Sequence, residues 1–452
     1  MRGLPDGNEL AAALRHCLGP VTIEELTRLS GGASKETWSF DAAGADGVRI
    51  PLILRRDPPG RPGGPGAVDR EATAISLAHD AGLPVPELLF CSNGPAPQED
   101  RPPGPIVHEG RPCAGEGRPA LGTAGMVMRR VEGETIARRI LRDPQYATTR
   151  RVLVGQLGEF AARLHALPVP AFVPEPDPLT ALRDQLDSFG HPSAVFELAL
   201  AELERDRPPS REPVLLHGDF RLGNVIVGPE GLRAVLDWEL THAGTPAEDL
   251  GWLCVKAWRF GVDAPVAGLG SREELLTAYQ AAGGARVSLA ELRWWEILGT
   301  LRWGVICLTQ ADAHLSGAHR SVELAAIGRR VCEQEWDLLL LLRPDEAAAA
   351  AQRRPRLSGS ATGEPAPHGR PTASELLAAV REYLLTSVLP ATSGQLAFHA
   401  RVAANSLAVV ARELELGPLP AGAGLADTVA ARLAVANPKY FETAPLTSPA
   451  PS

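Results

Sequence analysis

One stretch, VLLHGDFRLGNVIVGPEGLRAVLDWE (residues 214–239), constrains this chain more than any other. Two short apolar segments, GNVIV and RAVLDW, read as β-strands flanking a loop. Asp219 and Asn224 sit on a loop five residues apart, and Asp237 follows at the end of a strand, 237 − 219 = 18 residues on. Phosphoryl transfer needs a carboxylate to orient an attacking hydroxyl and accept its proton. It also needs oxygen ligands for Mg²⁺ beside the β- and γ-phosphates. One carboxylate plus an Asn/Asp pair on adjacent loops supplies both.

The flanking sequence predicts an α+β protein. Residues 22–56 read as strands (TIEELTRLS, TWSFDA, RIPLILRRD), with the turn-rich GGASKE between the first two. A helix is expected over about 67–81, with Gly82 beyond its end. PVPELLFC and GMVMRRV are extended, and the Pro/Gly-rich residues 92–124 between them form a long loop. These elements make a small, mostly antiparallel lobe. From about 134 the pattern is helical, with VGQLGEFAARLHAL and ELRWWEILGTLRWGVICLTQA as amphipathic helices and Leu338–Leu342 as a buried helix end. After Arg343 the Ala, Pro, Gly and Ser content of residues 344–370 marks a linker. Residues 371–452 then read as a helical bundle: Thr372 and Glu375 form a capping box, a second helix ends at Gly417, and a third lies near 424–436.

Composition removes several classes. With 452 residues, two or three domains are expected. A net charge of −9 argues against nucleic acid as a partner. Six cysteines without a C-x-x-C pair fit neither a zinc site nor a disulfide framework. No signal-peptide core and no run of about 18 apolar residues is present, so a cytoplasmic protein with no membrane partner is expected.

HGDFRLGN followed by LDWE resembles the aminoglycoside/choline/homoserine kinase superfamily, whose fold is protein-kinase-like, over roughly residues 20–342. That resemblance implies a two-lobed structure with an N-lobe (1–130) covering a nucleotide, a C-lobe (131–343) carrying catalysis and acceptor binding, and the helical bundle beyond. It implies Asp219 as the catalytic base, Asn224 and Asp237 as Mg²⁺ ligands, and Arg221 as a cation for transition-state charge. His217 would hold the loop and Asp249 would brace its backbone. Ser30, Gly31, Gly32, Ala33 and Ser34 fall where a phosphate-covering loop belongs. Val127, Met128 and Arg129 fall at the hinge that would meet the base of ATP or GTP. Glu71 matches a helix glutamate whose partner is a lysine on the third strand. Here that strand has no lysine, so Arg55 or Arg56 takes the phosphates. Lys35 is an alternative, though a lysine in a tip loop is expected to be solvated.

Within the superfamily the long pattern is similar to a branch fused to, or encoded beside, acyl-CoA dehydrogenases. That implies a hydroxyacyl acceptor such as a hydroxyacyl-CoA, and an acyl-CoA dehydrogenase-like protein partner through the bundle. Arg138, Arg139 and Arg142 could meet CoA phosphates or form a solvated helix face. Trp294, Trp295, Arg302 and Trp303 could line the acceptor pocket or sit in the core. A non-catalytic nucleotide-binding module, and a kinase for an aminoglycoside or choline, are the alternatives.

Overall fold

Apolar side chains at every second position set the sheet. A computed structural model describes residues 5–29, 35–58, 64, 66–93, 123–190, 193–355, 373–419 and 422–442. Helix α1 (Gly7–Leu18) starts at Asp6, whose carboxylate caps the Asn8 N–H. It buries Leu10 and Leu14. Strands β1 (Val21–Arg28), β2 (Glu36–Gly44) and β3 (Arg49–Arg56) follow as an antiparallel meander. Trp38, Phe40 and Ala42 on β2 and Leu52 and Leu54 on β3 pack with α1 into one apolar cluster. After helix α2 (Ala67–Asp80) come β4 (Leu88–Asn93) and β5 (Ala124–Arg129), and the five strands order as β1-β2-β3-β5-β4.

The chain continues through α3 (Ala137–Arg142), α4 (Ala147–His165), α5 (Pro178–Phe189) and α6 (Ala194–Arg205). Two short antiparallel ribbons follow, built from β6 (Val214–Leu216), β7 (Val225–Gly228), β8 (Gly231–Val235) and β9 (His242–Gly244): β6 pairs with β9 and β7 with β8. Beyond them are α7 (Ala247–Cys254), α8 (Arg272–Ala281), α9 (Leu289–Leu315), α10 (Val322–Gly328), α11 (Val331–Leu342) and α12 (Pro344–Arg353). The last helices are α13 (Ala373–Tyr383), α14 (Gly394–Leu416) and α15 (Leu425–Ala436). The expected α+β class is thus present, with one antiparallel lobe and a helical remainder.

Backbone contacts divide the chain into two units. One comprises Met1–Glu175, Arg211–Leu250 and Glu273–Arg286; the other comprises Pro176–Ser210, Gly251–Arg272 and Val287–Ser452. The first holds the five-stranded sheet and both ribbons. The second is helical, and the tail helices are part of it: α15 packs on α11 and α12, and α14 on α10 and α13. Among the described residues no helix is long and apolar enough to cross a membrane.

Composition alone predicts linker from 344, yet Pro344–Arg353 is helical. Pro344 occupies the first turn, where its missing N–H is not needed, and the alanines that follow are the strongest helix formers. The capping-box residue Thr372 and most of the remaining linker lie outside the described residues.

The tail closes over a buried acidic stripe on α11. The Tyr440 hydroxyl donates to Asp337 Oδ2 (2.6 Å), Lys256 Nζ donates to Oδ1 (3.0 Å), and Asn437 Nδ2 donates to Glu333 Oε1 (3.2 Å). Burial and the neighbouring Asp337 and Glu333 push the Tyr440 phenol well above its ordinary value. Tyr440→Phe removes a hydrogen bond to a buried charge and should cost about 1.5–3 kcal/mol. Urea unfolding of the full chain measures this; an unchanged midpoint would mean the contact contributes nothing.

Candidate active site

The conformation of the 217–224 loop follows from its glycine and its aromatic floor. Gly218 has φ +80°, and a Cβ there would lie 2.2 Å from Leu240 O, so only glycine fits. Beneath the loop, Phe220 and Trp238 are each 1% exposed. Phe220 stacks on Phe160 (5.4 Å between centroids), and the His217 ring lies 4.7 Å from Trp238. His217 Nδ1 accepts the Asp219 N–H (3.2 Å), so its proton is on Nε2, which donates to Leu236 O (2.9 Å). This histidine ties the loop to the strand end that carries Asp237.

Asp249 braces the loop from below. Its two oxygens accept the N–H groups of His217 (2.8 Å) and Gly218 (2.9 Å). His165 Nε2 meets the same carboxylate at 3.3 Å, while its Nδ1 meets the Tyr279 hydroxyl at 2.9 Å. Burial alone would raise the Asp249 carboxyl. The hydrogen bond and charge of His165, with His217 behind them, hold it below the usual carboxylate range instead. His165 stands 54 residues before Asp219, in α4, and Tyr279 stands 30 residues after Asp249, in α8. No local pattern marks them; only their meeting with Asp249 does.

At the rim, Arg221 Nε donates to both Asp219 oxygens (3.0 and 3.1 Å). Asn224 Nδ2 donates to Asp219 O (2.9 Å) and Oδ2 (2.6 Å), which puts its Oδ1 on the opposite side of the amide. The Leu236 N–H donates to Asn224 O (2.8 Å), so Asn224 and Asp237 lie on adjacent turns. Asp237 adopts φ +67°, a left-handed conformation that costs a non-glycine residue about 1 kcal/mol and that Asp tolerates better than most.

Asp237 Oδ1 accepts from Arg55 Nη2 (2.5 Å), and Arg55 Nη1 donates to Glu71 Oε1 (2.6 Å). Burial works against the charge on Arg55, but Glu71 and Asp237 outweigh it and raise its pKa. Burial would likewise raise Asp237, yet Arg55, then Arg221 and His217, hold it below the carboxylate range. Strand parity separates the two arginines. Arg56 points to the other face, where it donates to Glu36 (3.1 Å) and lies over Trp38.

Two expectations look different in the structure. Lys35 is not solvated: it is 9% exposed, and its Nζ donates to Glu71 Oε2 at 2.5 Å. Val127 and Met128 lie inside β5, paired with β3 on one side and β4 on the other. Arg129 and Arg130 still donate their N–H groups to Glu87 O and Pro51 O, so the backbone leaves the sheet only at Val131. The connection then passes Gly133, where a Cβ would lie 2.7 Å from Val227 O. Ser30, Gly31, Gly32, Ala33 and Ser34 lie outside the described residues. In the helical unit Trp294 and Trp295 are buried core, with Trp294 Nε1 donating to Leu203 O (3.0 Å). Arg302 lies over the Trp252 ring and Trp303 packs on Trp258. Arg138, Arg139 and Arg142 are exposed.

The donor set fits Mg²⁺: one carboxylate and one amide oxygen on adjacent turns are hard ligands, and they leave positions for phosphate oxygens and water. A model of the phosphotransferase enzyme family matches residues 25–295. The chain belongs to that family. Residues 390–424 match a domain of unknown function (DUF6285). Acyl-CoA dehydrogenase family member 11 of Gallus gallus is 26% identical over 355 residues, covering 71% of this chain and 41% of that protein. The same-named protein of Rattus norvegicus is 31% identical over 222 residues, 44% of this chain and 24% of its own. The chain therefore spans less than half the length of these relatives. A solved structure from Ralstonia eutropha, provisionally described as an aminoglycoside phosphotransferase, shares the fold. It aligns with a TM-score of 0.53 at 16% identity, over 75% of this chain and 98% of its own.

Proposed function

We propose that this kinase uses ATP or GTP with Mg²⁺ to phosphorylate a hydroxyl on a hydroxyacyl-CoA or a related acyl metabolite. The observation that carries the catalytic part is the convergence of Asp219, Asn224, Asp237, Arg55 and Glu71 in one unit. The acyl part rests on the relatives' name, acyl-CoA dehydrogenase family member 11. An acyl-CoA dehydrogenase-like protein partner through the tail helices belongs to the same proposal.

Asp219 orients the acceptor hydroxyl and takes its proton as the oxygen attacks the γ-phosphorus. The bond from that phosphorus to the β-phosphate oxygen breaks, and nucleoside diphosphate leaves. Asn224 Oδ1 and Asp237 would hold Mg²⁺, which when bound neutralises charge on the phosphates. Arg221, now on Asp219, is the cation nearest the developing charge once an acceptor displaces it. A binding-only reading has one observation in its favour: Arg55 Nη2 already occupies Asp237 Oδ1.

Nucleotide consumption measured against hydroxyacyl-CoAs, choline and aminoglycosides tests the proposal. Turnover on an acyl-CoA alcohol supports it, and turnover on aminoglycosides alone overturns the acyl part. Nucleotide binding without turnover on any acceptor class favours the binding module. Asp237→Ala should abolish Mg²⁺-dependent turnover while the circular dichroism spectrum stays unchanged. A wild-type Mg²⁺ titration curve in that variant would remove Asp237 from the metal site.

A further inference from the structure

The chain has three lysines, Lys35, Lys256 and Lys439. Lys35 immediately precedes β2 and follows the glycine-containing sequence 30–34. Across β2 and β3, Thr37 pairs with Arg55 and Glu36 with Arg56. Side chains alternate along a strand, so position 35 shares a face with Thr37 and Arg55, opposite the Glu36–Arg56 pair. The contacts agree. Glu71, fully buried, takes Arg55 Nη1 on Oε1 and Lys35 Nζ on Oε2.

The two cations are not equivalent. Arg55 is divided between two carboxylates, Glu71 and Asp237, and its planar fork suits that bridge. Lys35 shares one carboxylate with Arg55, so its charge is the less neutralised. An ammonium is also a point charge with three donors, of which Glu71 takes one. Lysine is thereby suited to a phosphate oxygen, and arginine to holding β3, Glu71 and Asp237 in register.

Building on the kinase reading, we propose that Lys35, supplied by the start of β2, is the cation that contacts the nucleotide phosphates, and that Arg55 is a positioning residue. The lysine absent from the third strand is replaced from the neighbouring strand. Glu71 orients it at 2.5 Å through Oε2 and holds Arg55 at 2.6 Å through Oε1.

The full-length protein is treated with a biotin acyl phosphate of ATP. Lysine Nζ attacks the acyl carbonyl, an amide forms, the acyl–oxygen bond to phosphate breaks, ATP leaves and the Nζ proton passes to solvent. With three lysines in the chain, peptide mass spectrometry assigns each adduct. The expected result is labelling of Lys35 that excess ATP suppresses, with any adducts on Lys256 and Lys439 insensitive to ATP. ATP-protected labelling confined to Lys256 or Lys439 overturns the proposal. In calorimetry with Mg²⁺, Lys35→Met should weaken ATP binding roughly 10- to 100-fold, the worth of one hydrogen bond to a charged group, and Lys35→Arg should restore part of it. A lysine that only braces α2 would lower the melting temperature of Lys35→Met without changing its ATP affinity, and that outcome also overturns the proposal. If Lys35→Met does not fold, the labelling of the wild-type chain decides alone. Wild-type protein that binds neither ATP nor GTP defeats the kinase reading itself. Wild-type binding matched by equal binding in Lys35→Met defeats only the lysine assignment.

Discussion

Asp219→Ala is expected to cut turnover by about 10²–10⁴-fold, the usual worth of a positioned base, while nucleotide affinity stays at the wild-type value. The geometry separates the two effects. Asp219 touches Arg221 and Asn224, whereas Arg55 joins Glu71 to Asp237. Asn224 keeps its second acceptor, the backbone carbonyl of residue 219, so the loop retains an anchor after truncation. Asp219→Asn keeps the shape without the basicity and should lose nearly as much. Turnover on the best acceptor, set beside calorimetric ATP binding, is the measurement. Wild-type turnover in Asp219→Ala would end the base assignment, and a large loss of ATP affinity would place the residue at the nucleotide instead.

Asp249→Ala should destabilise the first unit by about 3–5 kcal/mol, because it strands buried donors rather than merely deleting contacts. Two backbone N–H groups and His165 lose their acceptor together. Asn is no remedy, since its amide nitrogen would face a donor. Urea unfolding of the full chain reads the loss, and a change under 1 kcal/mol would refute the bracing role. The same group predicts an acid limb. The folded pKa of Asp249 is depressed, so its stabilisation is fully present above the ordinary carboxylate value near 3.8 and disappears as pH falls from there through the folded value. Asp237 is depressed as well and contributes in the same direction and window. Stability that does not fall in that window would contradict both assignments. Asp249→Ala should flatten the limb.

Much of the fold was legible because its signals are local. Period-two apolar residues in β2 and β3, the helix over 67–80 and the Gly417 stop are properties of neighbouring residues, and each element formed close to its expected bounds. The misjudged linker start shows the same logic from the other side: composition was averaged over 344–370, while propensity acts residue by residue and five alanines after Pro344 suffice for a helix. An apolar strand does not announce whether one edge or two will be paired, so the two-sided pairing of Val127 and Met128 was not legible. β5 turned out to lie between β3 and β4.

By itself, the sequence determined which residues are chemically equipped: Asp219, Asn224 and Asp237 at their spacing, a glycine where only glycine fits, and an unpaired need for a cation on the third strand. Tertiary structure alone decided which partners they received. Arg55 rather than Arg56 meets Glu71 because strand parity puts neighbours on opposite faces. Lys35 is buried because the register of β2 against β3 and the position of α2 bring a carboxylate 36 residues away to within 2.5 Å. His165 and Tyr279 join Asp249 from helices far along the chain. Spacing along a chain reports what is adjacent on one element; a charge buried between elements finds its counter-charge only when the packing is complete.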